Sequence, residues 1–600
     1  MTEPLIAPLE LPFQLFDVQD TETLLQRQRF SEHSRETLDA VLDTAEKIAT
    51  EHFATHNHKA DQQEPTFDGQ SVSMIPEVKA AFDAYCEAGF LAGRADFDAG
   101  GMQLPETIMT ACSGYFMAAN PSTAGYPFLT VAAANVIQTF ASETLQQRFV
   151  PPMLTGRFTG TMALTEPHAG SSLADIRTRA VPAGDGTYRV KGSKLYISAG
   201  EHELSDNIVH LVLAKLPDAP SGVKGISLFV VPKFRLDAQG EPAERNDVAL
   251  AGLIHKLGYR GTTSTALSFG DNDDCHGYLV GEPHQGLRYM FQMMNEARLG
   301  VGFGAAMIGY RGYRLSLAYA KDRLQGRPTG AGPDTPAVPI IEHGDVKRML
   351  LAQKAYTEGA MALCFYAARL VDDVHSLPDS EEREQTRELL DLLTPVVKAW
   401  PSEFGVKAND LAIQVLGGAG YTREYPVEQC WRDNRLNPIH EGTNGIQALD
   451  LLGRKLWQAN GAGLQVLQQR LQQDLAQMKG EVCQNLSAQV APYLQQFAEL
   501  MTTLQKDLRT SALPVHLTNA QCFMNIFSSL VVSWMWLRQA HGAERRLAQG
   551  ADSEQHADFY QGKLQAAAYY IEWELPLVSR DFALLQQTNT TCHNMKTDWF

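Results

Sequence analysis

The residues most able to do chemistry lie between Asn437 and Gln447, in the sequence NPIHEGTNGIQ. This segment places a carboxylate, Glu441, directly before a glycine and shortly before an apolar segment that begins at Ile446. Glycine permits a tight turn, and the N–H groups at a helix start favour an anion or a polarised oxygen. A carboxylate on such a turn can act as a base in a cleft. It can equally well do no more than complement the dipole of the helix that follows.

Three further segments precede this turn in a fixed order. They read MALTEPHAGSSLAD at 162–175, YRVKGSKLYISAG at 188–200 and IQVLGGAGYT at 413–422. Between about residue 80 and about residue 460, their order and spacing, together with the Glu441 turn, resemble the acyl-CoA dehydrogenase family. The resemblance implies a mainly α fold with a central β domain. Its expected parts are a helical N-terminal domain, a small β-barrel-like middle domain and a C-terminal four-helix bundle.

The chain is longer than an ordinary member of this family, which ends near position 460 of this numbering. About 140 residues follow that point, and some 30 extra residues stand at the front. This build resembles the subgroup that contains 3-methylthiopropanoyl-CoA dehydrogenases and several bacterial fatty acyl-CoA dehydrogenases. It implies an additional C-terminal helical domain, to which no chemistry is assigned.

The hydrophobic pattern gives the same organisation independently. Apolar residues recur at helical spacing between Leu38 and Ile48, whereas short alternating segments, such as those at 209–213 and 225–231, predict strands. Helical patterns resume at Leu287, and the glycines at 461 and 463 suggest a linker. The predicted domains are therefore 1–160, 161–285, 286–460 and 461–600.

The resemblance implies FAD as the cofactor and assigns residues to it. In the β domain they are Met162, Leu164, Thr165, Gly170, Ser171, Tyr196, Ile197 and Ser198, and Tyr196 stands where the family more often has Trp. In the helical segments they are Arg323, Gln325, Gln414, Gly417, Gly418 and Thr443. The family uses Arg323 on the pyrophosphate across a subunit interface, and a guanidinium fork suits a diphosphate. Gln414, Gly417 and Gly418 would contact the adenosine half of a partner's FAD, so at least a dimer is expected.

Two of these assigned residues could instead have a purely structural role. Ser171, also assigned with Gly442 to the substrate, stands in a segment with the character of a capping box, so it could cap a helix. Arg323 could be the solvated end of a basic helix. The arginine that binds the CoA adenosine region in medium-chain enzymes is missing from Gly261–Ala266, so CoA contacts stay open.

Dehydrogenation of an acyl-CoA removes a proton from Cα and a hydride from Cβ, so it needs one carboxylate as base. Glu441 lies at the position used by short- and medium-chain members. Glu296 is near the alternative position, on a helix nearer the middle of the chain, that long-chain and isovaleryl types use. Glu441 is the favoured base. His440 replaces the Tyr frequent before it, and could titrate near neutral pH or simply pack.

Composition excludes several other classes. The chain has 44% hydrophobic and 20% charged residues and a net charge of −18, which indicates a globular protein with an acidic surface. Its eight cysteines lack a CxxC pair or metal-ligand spacing, which predicts buried thiols, no metal and a cytoplasmic setting. The N-terminus has no signal-peptide pattern, and the apolar run from Ile526 to Leu537 is too short for a membrane span. A soluble protein is expected.

The sequence therefore predicts an FAD-dependent enzyme that converts an acyl-CoA to a trans-2-enoyl-CoA, in fatty acid β-oxidation or a related pathway. By resemblance, electrons pass to an electron-transfer flavoprotein, and a homodimer is the expected assembly. An acyl-CoA oxidase that uses O₂ is the nearest rival. A nucleic-acid-binding homologue is a second, but residues 464–600 hold 10 Lys and Arg against 12 Asp and Glu. The glycines at 300, 302 and 304 resemble part of a dinucleotide-binding fingerprint, but they lie in a predicted helix and do not follow a strand. Close packing of helices is the better explanation for them.

Overall fold

A computed structural model describes residues 3–507 and 513–600. Contacts between α-carbons divide the chain into two compact units. The helical unit takes the described residues of Met1–Arg35, Glu106–Gly114 and Arg298–Phe600, and the β-containing unit takes Glu36–Pro105 and Tyr115–Ala297. The four predicted domains do not coincide with these units, since 1–160 and 286–460 each contribute residues to both, and they stay a prediction.

Helices occupy most of the described chain. In order they are α1 Glu10–Pro12, α2 Arg35–Ile48, α3 Asn57–Gln62, α4 Pro76–Glu87, α5 Glu106–Ala119, α6 Pro121–Phe140, α7 Glu143–Leu154, α8 Gly286–Asp322, α9 Gly344–Ser376, α10 Ser380–Leu416, α11 Val427–Asn434, α12 Asn444–Gly453, α13 Ala462–Gln477, α14 Glu481–Asp507, α15 Leu513–Thr518, α16 Ala520–Gln549, α17 Glu554–Tyr569 and α18 Ser579–Gln586.

The strands are concentrated in the β-containing unit. They are β1 Thr66–Phe67, β2 Val72–Ser73, β3 Phe158–Ala163, β4 Arg179–Pro182, β5 Tyr188–Ser198, β6 Asn207–Lys215, β7 Ile226–Pro232, β8 Phe234–Leu236, β9 Pro242–Arg245, β10 Val248–Leu253, β11 Ser264–Phe269 and β12 His276–Leu279. The main sheet has the order β10-β11-β5-β12-β7-β6-β3. Strand β4 pairs with both β5 and β6, which closes a ring and gives the barrel-like form that the sequence predicted.

The burial pattern along the strands fits a barrel that is covered on part of its outer face. In β5 the side chains of Val190, Lys194 and Ile197 are buried, whereas those of Lys191 and Ser193 are exposed. Strands β6 and β7 are buried on both faces, since one face lines the barrel core and the other packs against further apolar residues, among them Phe149. Continuous burial is the pattern expected for strands that are covered on both sides.

Helix α10 packs against α9, α12 and α13 in the helical unit, and glycine allows close approach where α8 meets α10. A β-carbon at Gly302 would lie 1.9 Å from the carbonyl oxygen of Val397, so only glycine allows this approach of α8 to α10. The predicted packing role of this glycine is confirmed. The predicted linker at 461–463 is wrong in its second half, because α13 already begins at Ala462. A β-carbon at Gly463 would meet the carbonyl oxygen of Glu388 at 2.6 Å, so this glycine serves helix packing.

The two segments that lengthen the chain pack on each other. Gln14 donates to Gln539 at 2.8 Å, and Phe13 lies edge-on to Phe559 with ring centroids 5.5 Å apart. The N-terminal segment is thus joined to α16 and α17 of the C-terminal helices. Among the described residues, α16 is the one helix long and apolar enough to pass as a membrane span, and 83% of its apolar window is buried. A buried core helix passes the same test, as this one does.

Candidate active site

The turn before α12 holds Glu441 in an unusual backbone conformation. Glu441 has φ of +53° and Gly442 has φ of +84°, so two consecutive residues are left-handed. The Gln447 side-chain amide donates to the carbonyl oxygens of both, at 3.1 and 3.3 Å. Thr443 caps α12 by accepting from the N–H of Ile446 at 3.2 Å. Local hydrogen bonds therefore fix the turn, and the Thr443 hydroxyl serves as a helix cap.

The Glu441 carboxyl has the protonation behaviour of a general base. Burial raises the pKa of this carboxyl to about 7, although the positive charges of Arg298 and Lys398 act in the opposite direction. Within residues 3–507 and 513–600, its carboxylate makes no hydrogen bond or ion pair. A carboxylate that is poised near neutral pH and not tied to a neighbour is suited to take a proton from a bound molecule.

The two cations near Glu441 are held by other residues. Arg298 of α8 forms an ion pair with Asp450 of α12 at 3.4 Å. Lys398 of α10 donates to the Asn444 side-chain oxygen at 3.1 Å, and burial lowers its pKa to about 7. Both side chains are buried. Neither cation therefore neutralises Glu441 by direct contact.

His440 packs. Burial, assisted by the charge of Lys398, lowers the pKa of its imidazole to about 3, so it stays neutral at neutral pH. Its Nε2 lies 3.0 Å from the Asn437 side-chain oxygen. Of the two roles that the sequence left open, the packing role fits this environment.

Glu296, the alternative base, lies in the β-containing unit with its carboxylate already engaged. Asn135 donates to Oε2 at 2.8 Å, and Arg94 lies 3.4 Å from the same atom. These partners hold the carboxylate in place, which suits a structural acid better than a proton acceptor.

The predicted flavin segment of the β-containing unit is built on a buried ion pair. Lys194 donates to Glu166 and to the carbonyl oxygen of Leu164, both at 2.9 Å. Glu166 also accepts from the N–H groups of Arg177 and Thr178, at 2.6 and 3.0 Å. The segment from Met162 to Gly170 is therefore anchored to the start of β4 and to β5.

The side chains assigned to the flavin differ in accessibility. Tyr196 has φ of +60° and its side chain is 62% exposed, although it is a large aromatic residue. Ser171 and Ser198 are exposed, and Thr165 is half-buried. Ile197 is buried, so its side chain is not available to a ligand. Its carbonyl oxygen accepts from the Thr265 hydroxyl at 2.9 Å. Ser171 does not cap an α-helix, because only the short 3₁₀ turn Leu173–Asp175 follows it.

The assigned residues of the helical unit lie at two exposed chain reversals. Arg323 and Gln325 both follow the end of α8 at Asp322. Gln325 donates its N–H to the carbonyl oxygen of Val338 at 3.0 Å and so closes the loop between them. At the end of α10, Gln414, Gly417 and Gly418 are all exposed, and Gly417 has φ of +60°.

Four family models match the chain in succession. They are the acyl-CoA dehydrogenase N-terminal domain over residues 35–157, the middle domain over 161–272, the C-terminal domain over 284–456, and an acetyl-CoA dehydrogenase C-terminal-like domain over 466–596. The 3-methylmercaptopropionyl-CoA dehydrogenase of Ruegeria pomeroyi is 35% identical over 572 residues, which cover 94% of each chain. The chain belongs to the acyl-CoA dehydrogenase family. Members of this family are oxidoreductases.

Solved structures of the family share the fold of the whole chain. The Caenorhabditis elegans protein ACDH-11, solved in complex with C11-CoA, covers 97% of this chain with a TM-score of 0.75 and 19% identity; 96% of that chain is covered. An acyl-CoA dehydrogenase from Bacillus anthracis, solved with FAD, covers 94% of this chain, with 93% of that chain covered, a TM-score of 0.70 and 20% identity. The predicted fold, with its additional C-terminal helical domain, is confirmed.

FAD is the cofactor of this family, and the described residues fit it. A β-carbon added at Gly170, Gly417 or Gly418 would meet no atom within 4 Å, so these backbones are open to a ligand. The exposed ring of Tyr196 and the Ser198 hydroxyl offer a stacking surface and a donor, and Arg323 offers a guanidinium. An aromatic face, hydroxyl donors and a cation match an isoalloxazine ring and a diphosphate.

Sequence reasoning missed the residues that support the site. Lys398, Arg298 and Asn444 surround the Glu441 turn, and Glu166 and Lys194 anchor the flavin segment. One signal for Lys398 was present, because it is the only charged residue in the otherwise apolar run from Val396 to Trp400. A lysine in such a position needs a partner or a function.

Proposed function

We propose that this protein catalyses the FAD-dependent α,β-dehydrogenation of an acyl-CoA thioester to a trans-2-enoyl-CoA, with Glu441 as the base. The observation that carries the proposal is the Glu441 carboxylate, which lies on a left-handed turn with its pKa raised to about 7 and no partner among the described residues. Family membership supplies the reaction class, and the carboxylate supplies its proton acceptor.

Glu441 takes the proton from Cα of the bound thioester, and a double bond forms between Cα and Cβ as both C–H bonds break. Bound FAD would supply the acceptor for the hydride that leaves Cβ. The raised pKa keeps the base close to equal populations of its two forms at neutral pH, which favours proton transfer in either direction. The turn is fixed by Gln447 and Thr443, so the base is held before the substrate arrives.

Thr165, Tyr196 and Ser198 would hold the flavin ring, with Met162, Leu164 and the Ile197 backbone beside them. Ser171 and Gly442 would contact the acyl thioester. Arg323, Gln325, Gln414, Gly417 and Gly418 would hold the FAD of a second subunit, so the working form is a homodimer. An electron-transfer flavoprotein would then accept the electrons, in cytoplasmic fatty acid β-oxidation or a related pathway. One relative is named for 3-methylmercaptopropionyl-CoA, which makes this thioether acyl-CoA one candidate substrate.

Anaerobic mixing of the yellow holoprotein with a panel of acyl-CoAs tests this function. The panel runs from C4 to C18 and includes 3-methylmercaptopropionyl-CoA. At least one member is expected to bleach the flavin absorbance and to yield a trans-2-enoyl-CoA. Protein that binds FAD but is bleached by none of them would contradict the proposal, whereas rapid reoxidation by O₂ rather than by an electron-transfer flavoprotein would identify an oxidase.

A further inference from the structure

Five lysines of the described chain have buried side chains, and four of them are neutralised. Each of the four forms an ion pair with a carboxylate: Lys194 with Glu166, Lys233 with Glu201, Lys455 with Asp391 and Lys563 with Glu10. Lys398 is fully buried, but no described carboxylate lies within 4.0 Å of its ammonium group. In this protein, a buried structural lysine has a counter-ion, and Lys398 departs from that rule.

The surroundings of Lys398 do not explain its burial. Its neighbours on α10, Val397 and Ala399, are buried apolar residues. Its Nζ donates to the Asn444 side-chain oxygen at 3.1 Å, and the Asn444 amide donates in turn to the carbonyl oxygen of Ala399 at 3.4 Å. One neutral amide does not offset the desolvation of an ammonium ion. A lysine retained under such conditions, with its pKa lowered to about 7, indicates a functional group.

The charge that Lys398 faces belongs to Glu441. Each of the two side chains stabilises the charged form of the other, against the effect of burial on both. Arg298 also acts on Glu441, but Asp450 already neutralises it by an ion pair at 3.4 Å. Of the two described cations that act on Glu441, Lys398 is therefore the one that forms no ion pair with another carboxylate.

We propose that Lys398 is a positioning residue for the general base. Its ammonium group holds the Asn444 end of the turn and supplies a positive field that favours the ionised form of Glu441, which is the form that takes the substrate proton. The inference rests on the proposed function of Glu441. It assigns Lys398 no contact with the substrate or with FAD.

The other charged groups around this pair define its pH dependence. Arg298 faces it from α8, Asp450 lies on α12, Arg454 directly follows that helix, and His440 precedes the base. His440 stays neutral because its pKa is lowered to about 3, and Asp450 is paired with both arginines. The changes of protonation near pH 7 therefore belong to Glu441 and Lys398 as a coupled pair.

The test measures the protonation of Glu441 in two ways. One is the anaerobic rate of flavin reduction by a good acyl-CoA as a function of pH. The other is the infrared band of the protonated carboxyl that is lost in Glu441→Gln, titrated in holoprotein without substrate. Lys398→Met removes the charge and keeps the length of the chain. Both midpoints are expected to rise by about 1 pH unit, because an opposite charge nearby lowers a carboxyl pKa by this order. Lys398→Arg retains the charge and is expected to stay close to the wild type.

Asn444→Asp provides a second route that leaves Lys398 in place and does not depend on Lys398→Met being folded. The new carboxylate would pair with the ammonium group, so both midpoints should again rise. Lys455→Met is the matched control, because it removes a buried lysine that is paired with Asp391. It is expected to lower thermal stability and to leave both midpoints within about 0.3 pH unit of the wild type.

Unchanged midpoints in Lys398→Met, or in Asn444→Asp if the former is unfolded, would overturn the inference, whatever happens to the maximal rate. An equal shift in Lys455→Met would also overturn it, since the effect would then be a general consequence of destabilisation. A wild-type protein whose flavin no acyl-CoA reduces contradicts the proposed function instead. In that case the infrared midpoints still decide whether Lys398 governs Glu441.

Discussion

Glu441 unites an unfavourable backbone conformation with a carboxylate that has no partner in the described chain. A left-handed residue other than glycine costs of the order of 1–3 kcal/mol and persists only where its surroundings hold it. Gln447 provides that hold through two hydrogen bonds to the turn. A strained and well-supported acid next to a helix start is what a catalytic base requires and what a dipole-complementing acid does not.

Gly442→Ala tests the turn. The alanine would have to adopt φ of +84°, and its β-carbon would lie 2.7 Å from the Gln447 amide nitrogen, which supports Glu441. We expect a loss of about 1–3 kcal/mol in the free energy of unfolding. We also expect a lower rate of flavin reduction, because the base is displaced. Denaturant unfolding and anaerobic stopped-flow kinetics measure the two effects.

The control for this variant is Gly445→Ala, three residues further along. Gly445 lies in the first turn of α12 with an ordinary φ, and the nearest atom to an added β-carbon is the Thr443 hydroxyl oxygen at 3.8 Å. This variant is expected to keep both stability and rate, since alanine favours the helix. Equal losses in the two variants would show that the turn geometry at Gly442 has no special importance.

The sequence pointed to Glu441, because a carboxylate, a glycine and a helix start occur within a few adjacent residues. It could mark Lys398 as a charged residue in an apolar run, but it could not place Lys398 at the turn, because the two are distant in the chain and meet only when α10 packs on α12. The same holds for Glu166 and Lys194, which stand on different segments of the flavin region. Local motifs can be read from adjacent residues, whereas the charges that tune them depend on tertiary packing.

At the scale of elements, the two segments that lengthen this chain form one joint structure. Lys563 of α17 donates to Glu10 at 2.6 Å and to Glu358 of α9 at 2.8 Å, and all three side chains are buried. Although burial alone would raise it, the pKa of Glu358 is held below its ordinary value by Lys354 and Lys563. A buried ionic group therefore connects the N-terminal segment, the core bundle and the C-terminal helices.

Lys563→Met is expected to destabilise the protein by about 3–5 kcal/mol at pH 7, because it leaves two carboxylates buried without this cation. The pKa of Glu358 should rise in the variant. The folded state would then take up protons more readily than the unfolded one, and the loss of stability should shrink as the pH falls toward 5. Denaturant unfolding at pH 7 and pH 5 measures this dependence.

Lys479→Met serves as the control, since Lys479 is an exposed lysine of the same C-terminal region. We expect its free energy of unfolding to stay within about 0.5 kcal/mol of the wild type. A pH-independent loss in Lys563→Met would contradict an ionic role for this cluster.

Element types were readable from the sequence, and their exact limits were not. The strand predicted at 209–213 lies within β6, and the one predicted at 225–231 matches β7 to within one residue at each end. Apolar runs of this kind, bounded by turn residues, are a clear strand signal. Gly463 looked like part of a linker, yet it lies inside α13. Glycine at a break and glycine at a close approach of helices are identical in sequence, and only the contact with Glu388 separates them.

At the scale of the whole molecule, the proposed FAD site needs a second subunit. Arg323 and Gln414 are exposed in this chain, as residues that act on a partner's cofactor would be.

Arg323→Ala is expected to release FAD at protein concentrations at which the wild type retains it. Lys321→Ala removes an exposed charge two residues away and should retain FAD. Light scattering combined with flavin fluorescence over a dilution series measures both quantities. A monomer that holds FAD tightly would contradict this assembly.

Glu441→Gln tests the central claim most directly. The variant keeps the size of the side chain and removes its ability to accept a proton, and Glu296→Gln is the matched control. With an acyl-CoA that bleaches the wild-type flavin, we predict that Glu441→Gln binds FAD normally. Its anaerobic rate of flavin reduction should nevertheless be lower by about 10²–10⁴-fold. Glu296→Gln should retain most of the wild-type rate. Normal reduction in Glu441→Gln together with loss of reduction in Glu296→Gln would contradict the assignment and transfer the base to Glu296.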